Sequence, residues 1–186
     1  MEVATGAFQG VSVLIPAHNE ADWLPACLDA LCAADPVAGP VEVIVVANGC
    51  TDDTAELARR KAPAFEARGW ALRVLELAQG SKLGALNAGE AAARGAVLVY
   101  LDADVLVSPP LLAHLAEALA EDAPRYASGM PQVTTSGDWV TRHYTRFWQT
   151  TGFMTHGVPG FGVFAMNRAG RARWGEWTDI ISDDTF

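Results

Sequence analysis

Four short apolar runs recur along the first half of the chain, and each is followed by a segment of a different period. They are VSVLI (11–15), VEVIVVA (41–47), ALRVLEL (71–77) and AVLVYLD (96–102). Runs of this length, rich in Val, Ile and Leu, are strand signals and are too short for helices. Between the first two, residues 21–34 set Trp23, Leu24, Cys27, Leu28 and Leu31 at helical spacing. Residues 52–69 predict a helix capped by Thr51 or Asp52 and ended or kinked at Pro63, and residues 81–95 one that starts at Ser81 and ends near Gly95. Strand and helix alternating in short units imply right-handed crossovers and a mainly parallel sheet with helices on both faces. The fold class is therefore α/β.

Beyond Val107 the alternation loosens. A helix over 108–122, capped by Ser108 with prolines in its first turn, precedes a strand over 125–134. A helix bearing Trp139, Tyr144, Phe147 and Trp148 follows over 137–152, then a Gly-punctuated strand over 158–167 and a short helix or turn over 168–175. The aromatic series reads as core, with sugar stacking as the minority option. A chain of 186 residues, 51% hydrophobic and 19% charged, suits one domain spanning 1–186.

In open α/β sheets ligands gather beyond the carboxyl ends of the strands. The segments expected there are PAHNE (16–20), NGCTDD (48–53) and DADV (102–105), all rich in Asp, Asn and Glu. Asp102 and Asp104 close one of the most apolar runs of the chain, where ionised carboxylates resist burial. They either turn a corner or hold something positive. Side chains at i and i+2 share a face, so the pair could aim at one divalent cation, and oxygen ligands suit Mg²⁺ or Mn²⁺. The bland reading is an Asp-rich turn leading to Ser108.

Each other polar residue has a structural explanation of its own. Glu20 can favour the start of a helix through its dipole, Asn48 and Asp52 can form turns or caps, and Lys82 can be a solvated lysine. Together they would place four such accidents on one edge. In ISDDTF (181–186) Ser182 can cap a helix opened by Asp183 and Asp184, or one of the two carboxylates can act as a general base. His18, His114, His143 and His156 lack zinc spacing, and His156 reads as a loop histidine.

Charge and cysteine content narrow the class further. A formal net charge of −9 and a pI near 4.8 argue against nucleic acid as a partner, since no Lys/Arg stripe is present to neutralise phosphates. Cys27, Cys32 and Cys50 have no CxxC spacing and read as reduced thiols. No signal peptide and no apolar run near ~20 residues is visible, so no membrane span is expected in this chain. A cytoplasmic location follows, with peripheral attachment to the inner face of the membrane as the other option.

As an ordered set, VSVLIPAHNEADWLPACLDAL, VVANGCTDDT, GSKLGALNAG, YLDADV and ISDDTF resemble the signatures of glycosyltransferase family 2. The resemblance runs from Val11 to Phe186 and implies the GT-A fold, with 11–107 as the nucleotide-sugar-binding half and 108–186 as the acceptor and catalytic half. It implies inverting, metal-dependent transfer of a sugar from a nucleotide diphosphate donor, with a UDP-sugar expected, to a hydroxyl of a carbohydrate or lipid-linked acceptor. Asp102, Ala103 and Asp104 match the D-x-D segment, in which the two aspartates hold Mn²⁺ or Mg²⁺. Pro16, Ala17 and Glu20 match the nucleoside pocket, and Lys82 a position near the donor. Asn48 stands where many members have an aspartate that contacts the base. Asp184 matches the catalytic base and Asp183 its partner; the chain stops at Phe186 without a Q-x-x-R-W motif and is expected to lack acceptor elements. Two alternatives stand beside this reading. One is a nucleotide-sugar binding module without turnover. The other is a sugar nucleotidyltransferase, whose Gly-rich basic loop is not found in PAHNE.

Overall fold

Alternate residues of the first strand, β1 (Val11–Ala17), face opposite ways, and both faces are apolar. Val11, Val13, Ile15 and Ala17 join one core cluster while Leu14 joins the other. The same division holds for β2 (Val41–Asn48), where Val43 and Val45 oppose Ile44 and Val46, and for β4 (Val97–Leu101), where Val99 opposes Leu98 and Tyr100. A strand buried on both faces needs helices on both. On one side lie α1 (Leu24–Cys32), α3 (Ala62–Ala67) and α5 (Leu111–Ala118), through Leu24, Leu28 and Leu31, Phe65, and Leu112 and Leu115. On the other lies α4 (Lys82–Ala92), through Ala85 and Leu86. The structure is a computed structural model that describes residues 10–130, 132, 162–175 and 177.

Six strands form one mixed sheet in the order β3-β2-β1-β4-β6-β5, with β3 at Ala71–Leu77, β5 at Tyr126–Ser128 and β6 at Val163–Asn167. β3, β2, β1 and β4 are parallel, with Val11 beside both Val41 and Val97. β6 runs antiparallel to β4, Val97 facing Asn167, and β5 runs antiparallel to β6. The chain then enters α6 (Arg168–Trp174), capped by the Asn167 side chain, which accepts from Gly170 N at 2.8 Å. The expected α/β sheet with helices on both faces is the observed one. No helix among the described residues is long and apolar enough to cross a membrane.

Several boundaries differ from expectation, each for a local reason. The helix expected over 52–69 is two helices, α2 (Thr54–Arg60) and α3, meeting at Lys61. Pro63 falls in the first turn of α3, where its missing N–H costs nothing. The N-cap position of α2 is Asp53, and Asp52 instead accepts from Thr54 N at 3.1 Å. Helix α4 begins at the Ser81 cap as expected, with Ser81 Oγ accepting from Gly84 N at 3.0 Å. It stops at Ala92, before Gly95. Gly95 serves close approach instead, since a Cβ there would meet Ser12 N at 2.5 Å. Ser108 offers its carbonyl, not its side chain, to the start of α5. The expected helix over 137–152, His143, His156, Ser182, Asp183 and Asp184 lie outside the described residues.

Two carboxylates are built into the frame. Glu42, on β2, is completely buried and bonded to Ser12 and Arg94. Glu90, on α4, accepts from Tyr100 Oη (2.6 Å), Arg171 Nε (2.8 Å) and Trp177 Nε1 (2.7 Å), tying α4, β4 and α6 together. Burial, and then the bond to Glu90, push the Tyr100 phenol far above its ordinary value.

Candidate functional site

The carboxyl ends of β1, β2 and β4, together with the segment that opens α4, enclose a crevice of about 380 Å³. Pro16, His18 and Glu20 line it from β1, Asn48 from β2, Gly80, Ser81 and Lys82 from the start of α4, and Asp102, Ala103 and Asp104 from the end of β4. All of these positions lie in segments that the strand-end argument or the resemblance had singled out. Of the expected binding residues, only Ala17 is not in the lining; it is buried, and its carbonyl holds Asn48.

β4 ends at Leu101, so the two aspartates stand on a turn and not on strand. Val105 N donates to Asp102 O at 3.2 Å, and Asp102 N donates to Gly162 O at 2.9 Å. The pair therefore turns a corner and lines the crevice at once. Ala103 is buried between them while Asp104 is exposed. Lys82 Nζ lies 3.6 Å from Asp102 Oδ1. Beneath them Cys27 is fully buried, and burial, followed by the nearby Asp104 and Asp102 charges, pushes its thiol up to about 12. That thiol is inert packing, not a nucleophile.

Among the described residues no group of three or more His, Cys, Asp and Glu side chains could hold a metal. Two carboxylates opening on a crevice fit a different kind of site. Mg²⁺, and Mn²⁺ like it, takes one or two protein carboxylates and completes its shell with water and substrate phosphate oxygens. Asp102 and Asp104, both in the crevice lining, are two carboxylates of the kind that could hold such an ion.

The other walls are held by main-chain bonds. Asn48 is 4% exposed; its Nδ2 donates to Ala17 O and its Oδ1 accepts from Ser81 N, each at 2.8 Å. One amide thus joins the ends of β1 and β2 to the cap of α4. Next to it Gly49 has φ +61 and packs so tightly that a Cβ would stand 2.4 Å from Gly80 N. Only glycine fits there. Glu20 N donates to Thr54 Oγ1 at 2.8 Å, and Ala21 N to Asp52 Oδ2 at 3.1 Å. Burial alone would raise the Asp52 carboxyl, but the bonds from Thr54 and Ala21 outweigh it and hold the group below its usual value. Asp52 therefore pins the turn at 18–21.

Sequence reasoning missed His18, weighing it only as a zinc ligand. Its Nδ1 lies 2.6 Å from the Asn48 carbonyl, in the wall of the crevice. The signal available was position: His18 comes directly after β1, in the first polar segment.

With this geometry in hand, comparison with known proteins is decisive. Residues 12–175 match the family described as Glycosyl transferase family 2. The chain belongs to that family. It is 37% identical over 101 residues to "Glycosyltransferase AglE" of Haloferax volcanii, covering 54% of this chain and 32% of that protein. It is 37% identical over 123 residues to "Dolichyl-phosphate beta-glucosyltransferase" of Drosophila melanogaster, covering 62% and 37%. Among solved structures, the mannosyltransferase PcManGT from Pyrobaculum calidifontis, in complex with GDP-Man and Mn²⁺, superposes with TM-score 0.66 at 25% identity, covering 90% of this chain and 47% of that one. S. aureus TarS 1-349 in complex with UDP gives TM-score 0.60 at 21% identity, covering 70% and 38%, a likeness of fold. The GT-A fold expected from the motifs is the fold observed. The chain spans about a third of the length of these curated relatives. The family matched is one of glycosyltransferases.

Proposed function

We propose that this family 2 chain is the donor-binding and catalytic core of an inverting glycosyltransferase. The observation that carries the reading is the strand-end crevice lined by Asp102, Asp104, Lys82 and Glu20. The donor is a nucleotide diphosphate sugar, with UDP as the first candidate. Neighbours of the same fold are described in complex with UDP and with GDP-Man and Mn²⁺, which supports both a diphosphate donor and a divalent ion. The acceptor is a hydroxyl of a carbohydrate or of a lipid-linked carrier, the latter in keeping with a relative named for dolichyl phosphate.

A divalent cation on Asp102 and Asp104 would offset charge on the departing diphosphate. Lys82, at the start of α4, adds a second positive charge on that side of the crevice. Asn48 and Asp52 keep the crevice walls in register, so the donor meets a preorganised surface. Asp184 takes the acceptor hydroxyl's proton as its oxygen attacks the anomeric carbon, and Asp183 supports it. A single displacement inverts the anomeric configuration. On this reading the second half of the chain serves the acceptor and the chemistry, and the protein works in the cytoplasm or at the inner face of the membrane.

Calorimetric titration with UDP and GDP tests the donor site. Binding of at least one of them is expected with Mn²⁺ and should be lost in EDTA; equal affinity in both would overturn the metal. Asp104→Ala should weaken that nucleotide about 10- to 100-fold, the size of a lost charge-assisted contact. Because Asp104 is exposed, the variant should keep the wild-type melting temperature. An unfolded variant with unchanged metal affinity in the remaining folded fraction would leave Asp104 a turn residue only.

A further inference from the structure

Glu90 stands outside the crevice lining and has no part in the donor reading, yet three side chains converge on it. Its side chain is 16% exposed and that of Arg171 15%, and Arg171 Nε meets both carboxylate oxygens, at 2.8 and 2.9 Å. Tyr100 Oη and Trp177 Nε1 donate to Oε1 at 2.6 and 2.7 Å. Helix α4 already packs through Ala85 and Leu86. A largely buried ion pair adds little net stability, so its use is in the arrangement it specifies.

That arrangement is the path of the chain past α6. The helix ends at Trp174, and Gly175, at φ +70, turns the backbone. Arg171 Nη1 donates to the Gly175 carbonyl at 2.5 Å, and the same guanidinium lies 4.9 Å over the Trp177 ring. That ring is 8% exposed and meets Tyr100 edge-on at 5.4 Å. Ring contacts alone leave an indole free to turn over; the bond from Nε1 to Glu90 fixes which way it faces.

The partners of this bond also carry the crevice walls. α4 begins with Lys82, about 12 Å along the helix from Glu90. Tyr100 precedes Asp102 by two residues. Asp184 follows Trp177 by seven residues, a tether that spans at most about 25 Å. Where Trp177 is held therefore bounds where that carboxylate can act, and the helix that holds it is the one that brings Lys82 to the donor. Resting on the reading of Asp184 as the base, we infer that Glu90 and Trp177 are positioning residues for the chemical step. The Glu90–Trp177 bond sets the chain leading to Asp184 in register with the donor walls.

Trp177→Phe keeps a ring against Tyr100 and removes the N–H, leaving Glu90 its Tyr100 and Arg171 partners. It should slow single-turnover transfer about 10- to 100-fold, the cost of misplacing a reacting group by about an ångström, with the nucleotide Kd unchanged. Glu90→Ala, scored per folded molecule, should lose transfer to a similar extent, and Glu90→Gln, which keeps an acceptor for Nε1, should recover most of it. Tyr126→Leu trims the same aromatic stack where it meets Trp174, away from the bond, and serves as the structural control. Its melting temperature should fall while transfer per folded molecule holds. Wild-type rates in Trp177→Phe, Glu90→Gln as slow as Glu90→Ala, or an equal loss in Tyr126→Leu would each overturn the positioning role and leave the proposed function standing. A loss of transfer matched by weaker nucleotide binding would overturn it too. Absence of transfer by the wild type with nucleotide bound overturns the proposed function, and this inference with it.

Discussion

Asp184→Asn should abolish sugar transfer while leaving nucleotide and metal binding intact. The substitution replaces a carboxylate by an amide of the same shape, so it removes the proton acceptor and little else. A general base typically contributes ~10²–10⁴-fold to the rate, and the loss should appear in kcat with the donor Kd unchanged. Asp183→Asn should cost less, because its assigned role is support. The measurement is single-turnover transfer from a radiolabelled nucleotide sugar, run beside calorimetry of the same preparations. A reversed ranking would move the base to Asp183, and near-wild-type transfer by both variants would leave neither as the base. Retained binding with lost transfer also separates this chemistry from the rival of a binding module without turnover, which predicts no transfer in the wild type either.

The strand ends were legible because polarity at the close of an apolar run is unfavourable unless it has a use. Asp102, Asn48 and Glu20 line one crevice, as the pattern of three polar segments required. β1, β2 and β4 were legible too, since each is buried on both faces and reads as a near-continuous apolar run. What stayed hidden depends on contacts between distant residues. Nothing local in 163–167 says that β6 will insert beside β4 and reverse its direction, because the pairing of Val97 with Asn167 joins segments far apart in the chain. The break at Lys61 was half visible: Pro63 announced an interruption, but its position in a first turn puts the break before it. His18 was hidden because a histidine's role is set by what holds its ring, and the Asn48 carbonyl comes from another strand.

Glu42 was hidden for the same reason, and it carries the second large effect. In VEVIVVA a glutamate looks like the solvent side of an alternating strand, but here it is completely buried. Its Oε1 accepts from Ser12 Oγ at 2.7 Å and from Arg94 N at 2.7 Å, while Oε2 meets Arg94 Nη2 at 3.0 Å and Arg73 Nη1 at 3.5 Å. Ser12 Oγ in turn accepts from Gly95 N at 2.8 Å, so one carboxylate clamps β1, β2, β3 and the turn into β4. Glu42→Ala empties this site and strands the Ser12 hydroxyl and the Arg94 N–H. It should cost about 2–4 kcal/mol in urea unfolding, from lost charge-assisted bonds and a buried Ser12 hydroxyl left unsatisfied; the Arg94 and Arg73 guanidinium groups, 57% and 41% exposed, stay solvated. Glu42→Gln keeps an acceptor for Ser12 and Arg94 N, loses the charge and the acceptor for the solvated Arg94 guanidinium, and should cost less.

The Glu42→Gln variant also isolates the pH dependence. Burial alone would raise the Glu42 carboxyl, yet the bonds from Ser12 and Arg94, with the Arg94 charge, outweigh it and hold the group below its ordinary value. A folded value lower than the unfolded one, about 4.3, makes the unfolded state bind the proton more readily. The charge therefore contributes its full stability above about pH 4.3 and loses it as pH falls through the lowered folded value. A glutamine amide does not titrate, and the other carboxylates are common to both proteins. The stability gap between wild type and Glu42→Gln should therefore be flat from about pH 8 to about pH 6 and narrow below about pH 4. A gap that stays constant down to about pH 3 would mean that shape and hydrogen bonding, with no part from the charge, hold β1, β2 and β3 together at this point.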